Sequence, residues 1–548
     1  MLKGGASYIR RPFFGGSVSV SAILGGMLAA TPNKYLISGH SPCRDRVWKL
    51  RSCLIFSHHR QPGRGIIQQY NVRRFRSPGL HAAQPSRCER SLPVVSEHLR
   101  YCPQAPSRHT RAAMRDDTRR WIQADQAHCW HPFTRQDDWC APGHQPLVLT
   151  HGKGAWLWDS EGRRYLDGNS SIWTNIHGHA HPAINAAIRA QLEKTAHVSF
   201  LGFTHPLAAE LAARLCAFFP ERSLERVFFS DDGSTAIECA LKMAVQYRLQ
   251  TGEPQRNRFI AFADGYHGDT LGAASLGGVG RFFERFKNGY PAQHVRSLDE
   301  LRKLDPERVA GLVIEPLIQG VNEMRPWPPG MLADLRAWCD ETGVHFILDE
   351  VMTGFGRTGK LFACQHENVI PDFLCLAKGL TAGFLPMAAT LTTARVYEAF
   401  LGPAENVFYY GHSYTANPLG CAAAMASLDV FESEQTLTKL QPKIEHLRAG
   451  LTALKAAHPI VHEVRQCGFI AGIELRQPDG AKFPATQRTG EAVCHAARAH
   501  GLLTRPILDT IVLMPPLCTS IAELDQAFAS LHAVFSENPG IDTRPANT

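Results

Sequence analysis

Between about Pro182 and Glu432 the chain alternates short, continuously apolar runs with longer stretches in which apolar residues recur every three or four positions. Residues 258–263, 309–315, 344–349 and 373–376 are runs of the first kind and predict strands buried on both faces. Residues 184–192, 234–249 and 332–341 have helical spacing, and 227–230 predicts a strand that runs straight into the helix opening at Ser234. Parallel strands need long crossover connections, so this alternation predicts an α/β domain built on a mostly parallel sheet. Upstream, the apolar pieces 155–158 and 165–169 flank a turn at 159–162 and predict a small antiparallel segment. After Glu432 a long polar helix gives way to short strands around 469–475 and 511–514, the pattern of a smaller α+β region. The expected organisation is a leader over 1–113, an N-terminal part of the small domain over 114–180, a large domain over 181–431 and a C-terminal small domain over 432–548.

Charge changes the picture at one end only. Residues 1–113 hold 18 Lys and Arg against 3 Asp and Glu, whereas the remainder holds 40 against 47. The leader is therefore +15 and the body −7, and a nucleic-acid partner is not expected for the body. The leader has no sustained hydrophobic period. Its composition is open to three explanations: an upstream region preceding a true start at Met114, an Arg-rich transit peptide, or a secretory signal around 18–30 that glycines and serines interrupt. No apolar run reaches the length of a membrane span, so no membrane partner is expected. Fifteen cysteines without a C-x-x-C pair predict free, mostly buried thiols in a reducing compartment, cytoplasmic or, with a genuine transit peptide, mitochondrial.

Four short segments carry candidate chemistry. Residues 344–351 form an apolar strand ending in Asp349 and Glu350, where an open α/β sheet presents its ligand crevice; a helix cap is the common alternative use of such an acid. Residues 374–380 are a second apolar strand ending in Lys378-Gly379. A lysine after a strand is ordinarily a surface residue, but beside an acid in a desolvated crevice it becomes a candidate amine nucleophile. Gly233 and Ser234 open a helix directly after a strand, so their free amides and a hydroxyl are suited to an anion. In Asp264-Gly265-Tyr266-His267-Gly268-Asp269 an aromatic among small residues is suited to stacking on a planar ring or to packing in a turn. Two other patterns are weaker. Residues 354–361 have the spacing of a Walker loop, but Leu361 stands where Ser or Thr must hold magnesium. His177, His179 and His181 lack an acid or cysteine to complete a ligand set, and no metal is expected.

Together these segments resemble the class III, fold type I pyridoxal 5′-phosphate (PLP)-dependent aminotransferases over essentially all of 114–548, most specifically in the succession Asp349-Glu350-Val351, residues 354–359 and Lys378-Gly379. Within the class the text is similar to the branch that aminates 8-amino-7-oxononanoate in biotin biosynthesis, through residues 130–134, 170–173, 176–179, 265–270, 503–506 and 513–516. The resemblance implies a large mostly parallel-sheet domain, a smaller α+β domain made from both chain ends, ping-pong transamination, and a homodimer with shared active sites. It implies that Lys378 holds PLP covalently and carries protons, that Asp349 pairs with the ring nitrogen, that Val351 packs under the ring and that Tyr266 lies against cofactor and substrate. Gly233 and Ser234 would bind the phosphate, with His412 and Ser413 from the partner subunit. Arg505 would grip the substrate carboxylate, and Phe133, Ile172, Trp173 and Gly411 would line the substrate site. The resemblance implies S-adenosylmethionine as the amino donor; members that use it often have Trp at the position of Ile172 and Tyr at those of Phe133 and Val512, so lysine is the alternative donor. Another class III ω-amino acid aminotransferase and a non-catalytic PLP-binding scaffold are the other readings.

Overall fold

The computed structural model describes residues 114–286 and 289–537, so every expectation for the leader and for the last eleven residues lies outside it. At its centre is a seven-stranded sheet, in the order Leu224–Ser230, Ala388–Thr393, Phe373–Leu376, His345–Asp349, Val309–Ile314, Arg258–Phe262, Ala292–Val295. Pairing is parallel from Phe373–Leu376 through to Ala292–Val295. Ala388–Thr393 alone runs against its neighbours, antiparallel to both.

All six residues of Val309–Ile314, all five of His345–Asp349 and all four of Phe373–Leu376 are buried. This burial on both faces is what their unbroken apolar text predicts. Local chemistry sets the helix ends. Asp232 caps helix Gly233–Gln250 by accepting from the Thr235 amide, and the Asp232 amide donates to the Thr235 hydroxyl oxygen, closing a capping box. Gly343, at φ 69°, ends helix Met331–Thr342 in the left-handed region that glycine enters without steric cost.

Strands Leu149–Lys153, Trp156–Asp159 and Arg164–Asp167 form the expected antiparallel segment, and the late strand Leu502–Leu503 adds to it in parallel. A second antiparallel sheet, Val461–Cys467, Ile470–Leu475, Thr510–Leu513 and Pro506–Ile507, lies in the C-terminal region with helices Thr436–Ala457 and Ile521–Glu537. Cys239, Cys339, Cys364, Cys375, Cys421 and Cys494 are free and buried. Among the described residues no helix is long and apolar enough to cross a membrane.

Candidate active site

Five strands of the central sheet end along one crevice, and each hands a polar group to it. After Leu224–Ser230 come Asp231, Asp232 and the helix start at Gly233; after Arg258–Phe262 come Tyr266 and His267. Val309–Ile314 is followed by Glu315, His345–Asp349 ends in its own acid, and Phe373–Leu376 is followed by Lys378. All of these line one cavity of about 370 Å³, together with Trp173, Val321, Val351, Met352 and residues 383–387.

Lys378 opens a short 3-10 turn at φ 35°, a backbone region in which a non-glycine residue is strained, as is common where a side chain must be aimed at a ligand. Its Nζ lies 4.9 Å from the centre of the Trp173 ring. Burial pulls the Lys378 amine down to about 8; the Asp349 and Glu315 carboxylates oppose the shift, and the buried Arg357 adds to it. Trp173 is held over the lysine by a tight segment in which Ser170, Ser171 and Trp173 all have positive φ. The Ser170 hydroxyl donates to the Met514 carbonyl, the Ser171 amide to the Asp167 carboxylate, and the Trp173 indole to Asn169 Oδ1.

Asp349 is buried and doubly bonded: the Val351 amide donates to Oδ1 (3.1 Å), and His267 Nδ1 lies 2.8 Å from Oδ2. Glu315, also buried, accepts from the Gly320 amide (2.9 Å) and the Tyr266 amide (3.2 Å). Burial lifts its carboxyl to about 7, against the pull of His267 and those amides. The Tyr266 hydroxyl donates to Asp269 (2.7 Å), and burial raises it well above the usual phenol range. The cradle at the helix start is close-built. A Cβ on Gly233 would stand 2.6 Å from Val351 Cγ1, and one on Gly268, at φ 120°, would collide with Ser234 Oγ.

The structure thus brings together Lys378, Asp349, Tyr266, Gly233, Ser234, Val351 and Trp173. The other expected residues lie off the cavity lining. Phe133 is 62% exposed and meets the edge of Phe282 (5.4 Å), which in turn meets Tyr266 (6.4 Å). Ile172 is exposed beside Trp173. Arg505 is exposed between Leu502–Leu503 and Pro506–Ile507, and its guanidinium forms no ion pair among the described residues. Gly411 and Ser413 are exposed, while His412 Nδ1 lies 2.9 Å from Asp231 of the same chain.

Glu350, which shares Asp349's sequence signal, has a structural use: it accepts from the Ala363 and Cys364 amides at the start of the turn Ala363–His366. The three alternating histidines sit before helix Pro182–Leu192 rather than on a strand. His177 bonds to Ser427, His179 to Asp167 and His181 to Glu434. Glu315 and His267 are the site groups that sequence reasoning gave no role. Glu315 ends an apolar strand just as Asp349 does, and His267 follows the aromatic in the 264–269 segment; those signals were present in the text.

Residues 139–535 match the family Aminotransferase class-III. The adenosylmethionine-8-amino-7-oxononanoate aminotransferase of Geobacter sulfurreducens is 43% identical over 438 residues, 75% of this chain and 96% of that protein. The crystal structure of the enzyme of that name from Methanocaldococcus jannaschii superposes with a TM-score of 0.74 at 38% identity, covering 77% of this chain and 99% of that one. An amine transaminase from an uncultivated Pseudomonas species, solved in its PLP-bound form, follows at 0.70 and 33%, covering 74% and 98%.

Proposed function

The chain belongs to the class-III aminotransferases, and from that membership we propose that it moves an amino group from S-adenosylmethionine to 8-amino-7-oxononanoate, giving 7,8-diaminononanoate for biotin synthesis, with PLP as cofactor. The observation that carries the reading is a half-buried lysine and a buried aspartate with two hydrogen-bond partners, at the ends of adjacent parallel strands, lining one cavity with a helix N-terminus.

The residues suit PLP at its phosphate, its ring nitrogen and its ring face. Gly233 and Ser234 offer the first amides of an eighteen-residue helix to the phosphate, and only glycine fits against Val351 there. Asp349, held by His267 and the Val351 amide, offers a carboxylate to a protonated ring nitrogen, and Val351 a flat apolar contact to the ring. When bound, PLP supplies an electron-withdrawing ring that takes up the electron pair left when a proton leaves the substrate carbon. Lys378 Nζ, whose lone pair burial frees as pH rises through about 8 rather than far above it, takes that proton and later returns one. Trp173 and Tyr266 wall the reacting end against water. Arg505, free of other ion pairs, receives the substrate carboxylate, with Phe133, Ile172 and Gly411 along the approach. Donor and acceptor use the same cavity in turn.

A second copy of the chain supplies His412 and Ser413 to the phosphate; the exposure of Tyr409 and Tyr414 beside them supports such a dimer. The division into a large domain over 181–431 and a small one over 114–180 and 432–548 is supported by the pairing of Leu502–Leu503 with Arg164–Asp167. Lysine as donor is the second reading, favoured by Ile172, Phe133 and Val512. Val512 is buried in the same cluster as Trp173 and brings no hydroxyl to it.

Single-turnover absorbance of the PLP-loaded protein tests both readings. S-adenosylmethionine is expected to discharge the cofactor band faster than lysine or an ω-amino acid, and 8-amino-7-oxononanoate to restore it. A faster discharge by lysine reverses the donor assignment. No restoration by 8-amino-7-oxononanoate after any donor removes the biotin-pathway assignment, and a protein that stays colourless with added PLP removes the cofactor.

A further inference from the structure

We propose that Glu323 is a positioning residue that sets where Arg505 stands relative to the cavity, by tying the hairpin that carries Arg505 to the loop that carries Val321. The inference rests on the reading of Arg505 as the holder of the substrate carboxylate. Arg505 leads into strand Pro506–Ile507, and its guanidinium has no ion pair among the described residues to steady it. Its place therefore follows from its backbone, whose carbonyl accepts from the Val512 amide (3.2 Å). Strand Thr510–Leu513, to which Val512 belongs, is in turn fixed at Thr510. The Thr510 hydroxyl donates to Glu323 Oε2 (3.0 Å) and accepts from Arg465 Nη2 (3.2 Å). Lys482 Nζ lies 3.4 Å from Glu323 Oε1, and Arg465 Nε donates to the Glu323 carbonyl (3.0 Å).

Glu323 stands in the turn between strands Ile318–Gln319 and Arg325–Pro326, and both it and Met324 have φ 55°. Two successive non-glycine residues in the left-handed region are strained, and surrounding contacts must hold them there. Those contacts come from the C-terminal sheet. A Cβ on Gly472 would stand 2.9 Å from Met324 Cβ, so the loop lies directly on that sheet. Met324 is fully buried in one cluster with Trp173, Met352, Ile470, Val512 and Met514. The other end of the loop belongs to the site: the Gly320 amide donates to Glu315 (2.9 Å), and Val321 lines the cavity. Glu323 is thus two residues from the cavity wall and one hydrogen bond from the strand that holds Arg505. Of the three acids on Arg465, Glu463 and Glu474 lie on its own sheet, and Glu323 alone comes from the loop. Truncating Glu323 therefore leaves the buried arginine paired within its sheet while it loosens the link between loop and hairpin.

A contact that served the fold alone would affect every substrate equally, so the test reads preference for a carboxylate. With the PLP-loaded protein and saturating donor, kcat and KM are measured for 8-amino-7-oxononanoate and for its methyl ester, which lacks the charge. The proteins compared are the unaltered chain, Glu323→Ala, Glu323→Gln, Thr510→Val and, as reference, Arg505→Ala. In Glu323→Ala the preference for acid over ester in kcat/KM is expected to fall on the order of tenfold, through KM for the acid, as an ion pair loses its alignment. Its kcat, its PLP affinity and its turnover of the ester should stay within about twofold of the unaltered protein. Thr510→Val is expected to lower the preference in the same way. Glu323→Gln, whose amide oxygen still accepts from Thr510, should keep most of it. An unchanged preference in Glu323→Ala would overturn the proposal. So would loss of acid and ester together, whether through misfolding or at unaltered stability, since the residue would then serve the fold alone. An unaltered protein with no preference for the acid, or a preference untouched by Arg505→Ala, would instead remove the reading on which the proposal rests.

Discussion

Lys378 shows how one residue's surroundings set its chemistry. In water its amine would stay charged well past neutrality, and a charged amine has no lone pair to give. Inside the cavity burial lowers it to about 8, while Asp349 and Glu315 resist and Arg357 assists. The sign follows: the ammonium dominates below that value and the free amine above it. Capture of PLP by the apo-protein should therefore accelerate roughly tenfold between pH 7 and pH 9, in proportion to the free amine. Stopped-flow absorbance measures this directly. A flat profile would mean the amine is not held near 8, and Lys378→Arg, charged throughout, should show no covalent capture at any pH. The text made this residue visible by its place after an apolar strand. It did not separate Asp349, Glu315 and Glu350, since all three follow apolar strands. Their uses diverge through what each strand end faces: a histidine, a loop amide, or the first amides of the turn Ala363–His366.

At the scale of elements the critical contact is between the start of helix Gly233–Gln250 and the loop after His345–Asp349. Gly233 touches Val351 so closely that an added methyl would stand 2.6 Å from Cγ1. Gly233→Ala should push Val351 into the cavity and weaken PLP binding by about 1–3 kcal/mol, the usual cost of overpacking. Val351→Ala in the same chain should recover most of that loss, a coupling readable by a double-mutant cycle in a PLP titration. A double variant no better than Gly233→Ala alone would mean the space is controlled elsewhere. Helices and buried strands with a clear period were legible to within about three residues, because period is local. The strand Ala388–Thr393 was not, since Ala and Thr give no apolar run. Its buried hydroxyls are satisfied instead, Thr390 donating to the Ala236 carbonyl and Thr392 to that of Asp372. Strand order was equally hidden, being set by contacts far apart in the chain.

Across the whole molecule the question is which part of the chain the enzyme needs. The first residues of the described body are already tied into it. The Arg115 amide donates to Glu161, the Thr118 hydroxyl bonds to Ser160 and Glu161, and Ile122 is buried. Further along helix Asp116–His128, Asp125 accepts from the Trp139 indole and lies against His131. The match to the family begins at residue 139, and the aligned 75% of this chain accounts for 96% of the Geobacter protein. A protein begun at Met114 keeps every one of these contacts, so it should match the full chain in melting temperature and, within about twofold, in turnover. A protein begun at Trp130 removes helix Asp116–His128 and strips Trp139 of its acceptor. Its melting temperature should fall by several degrees, consistent with about 1–3 kcal/mol for a buried residue and a few hydrogen bonds. Parallel thermal melts and amino-transfer assays of the three proteins decide it. A Met114 protein with full stability but turnover reduced tenfold or more would assign the basic first 113 residues a part in catalysis.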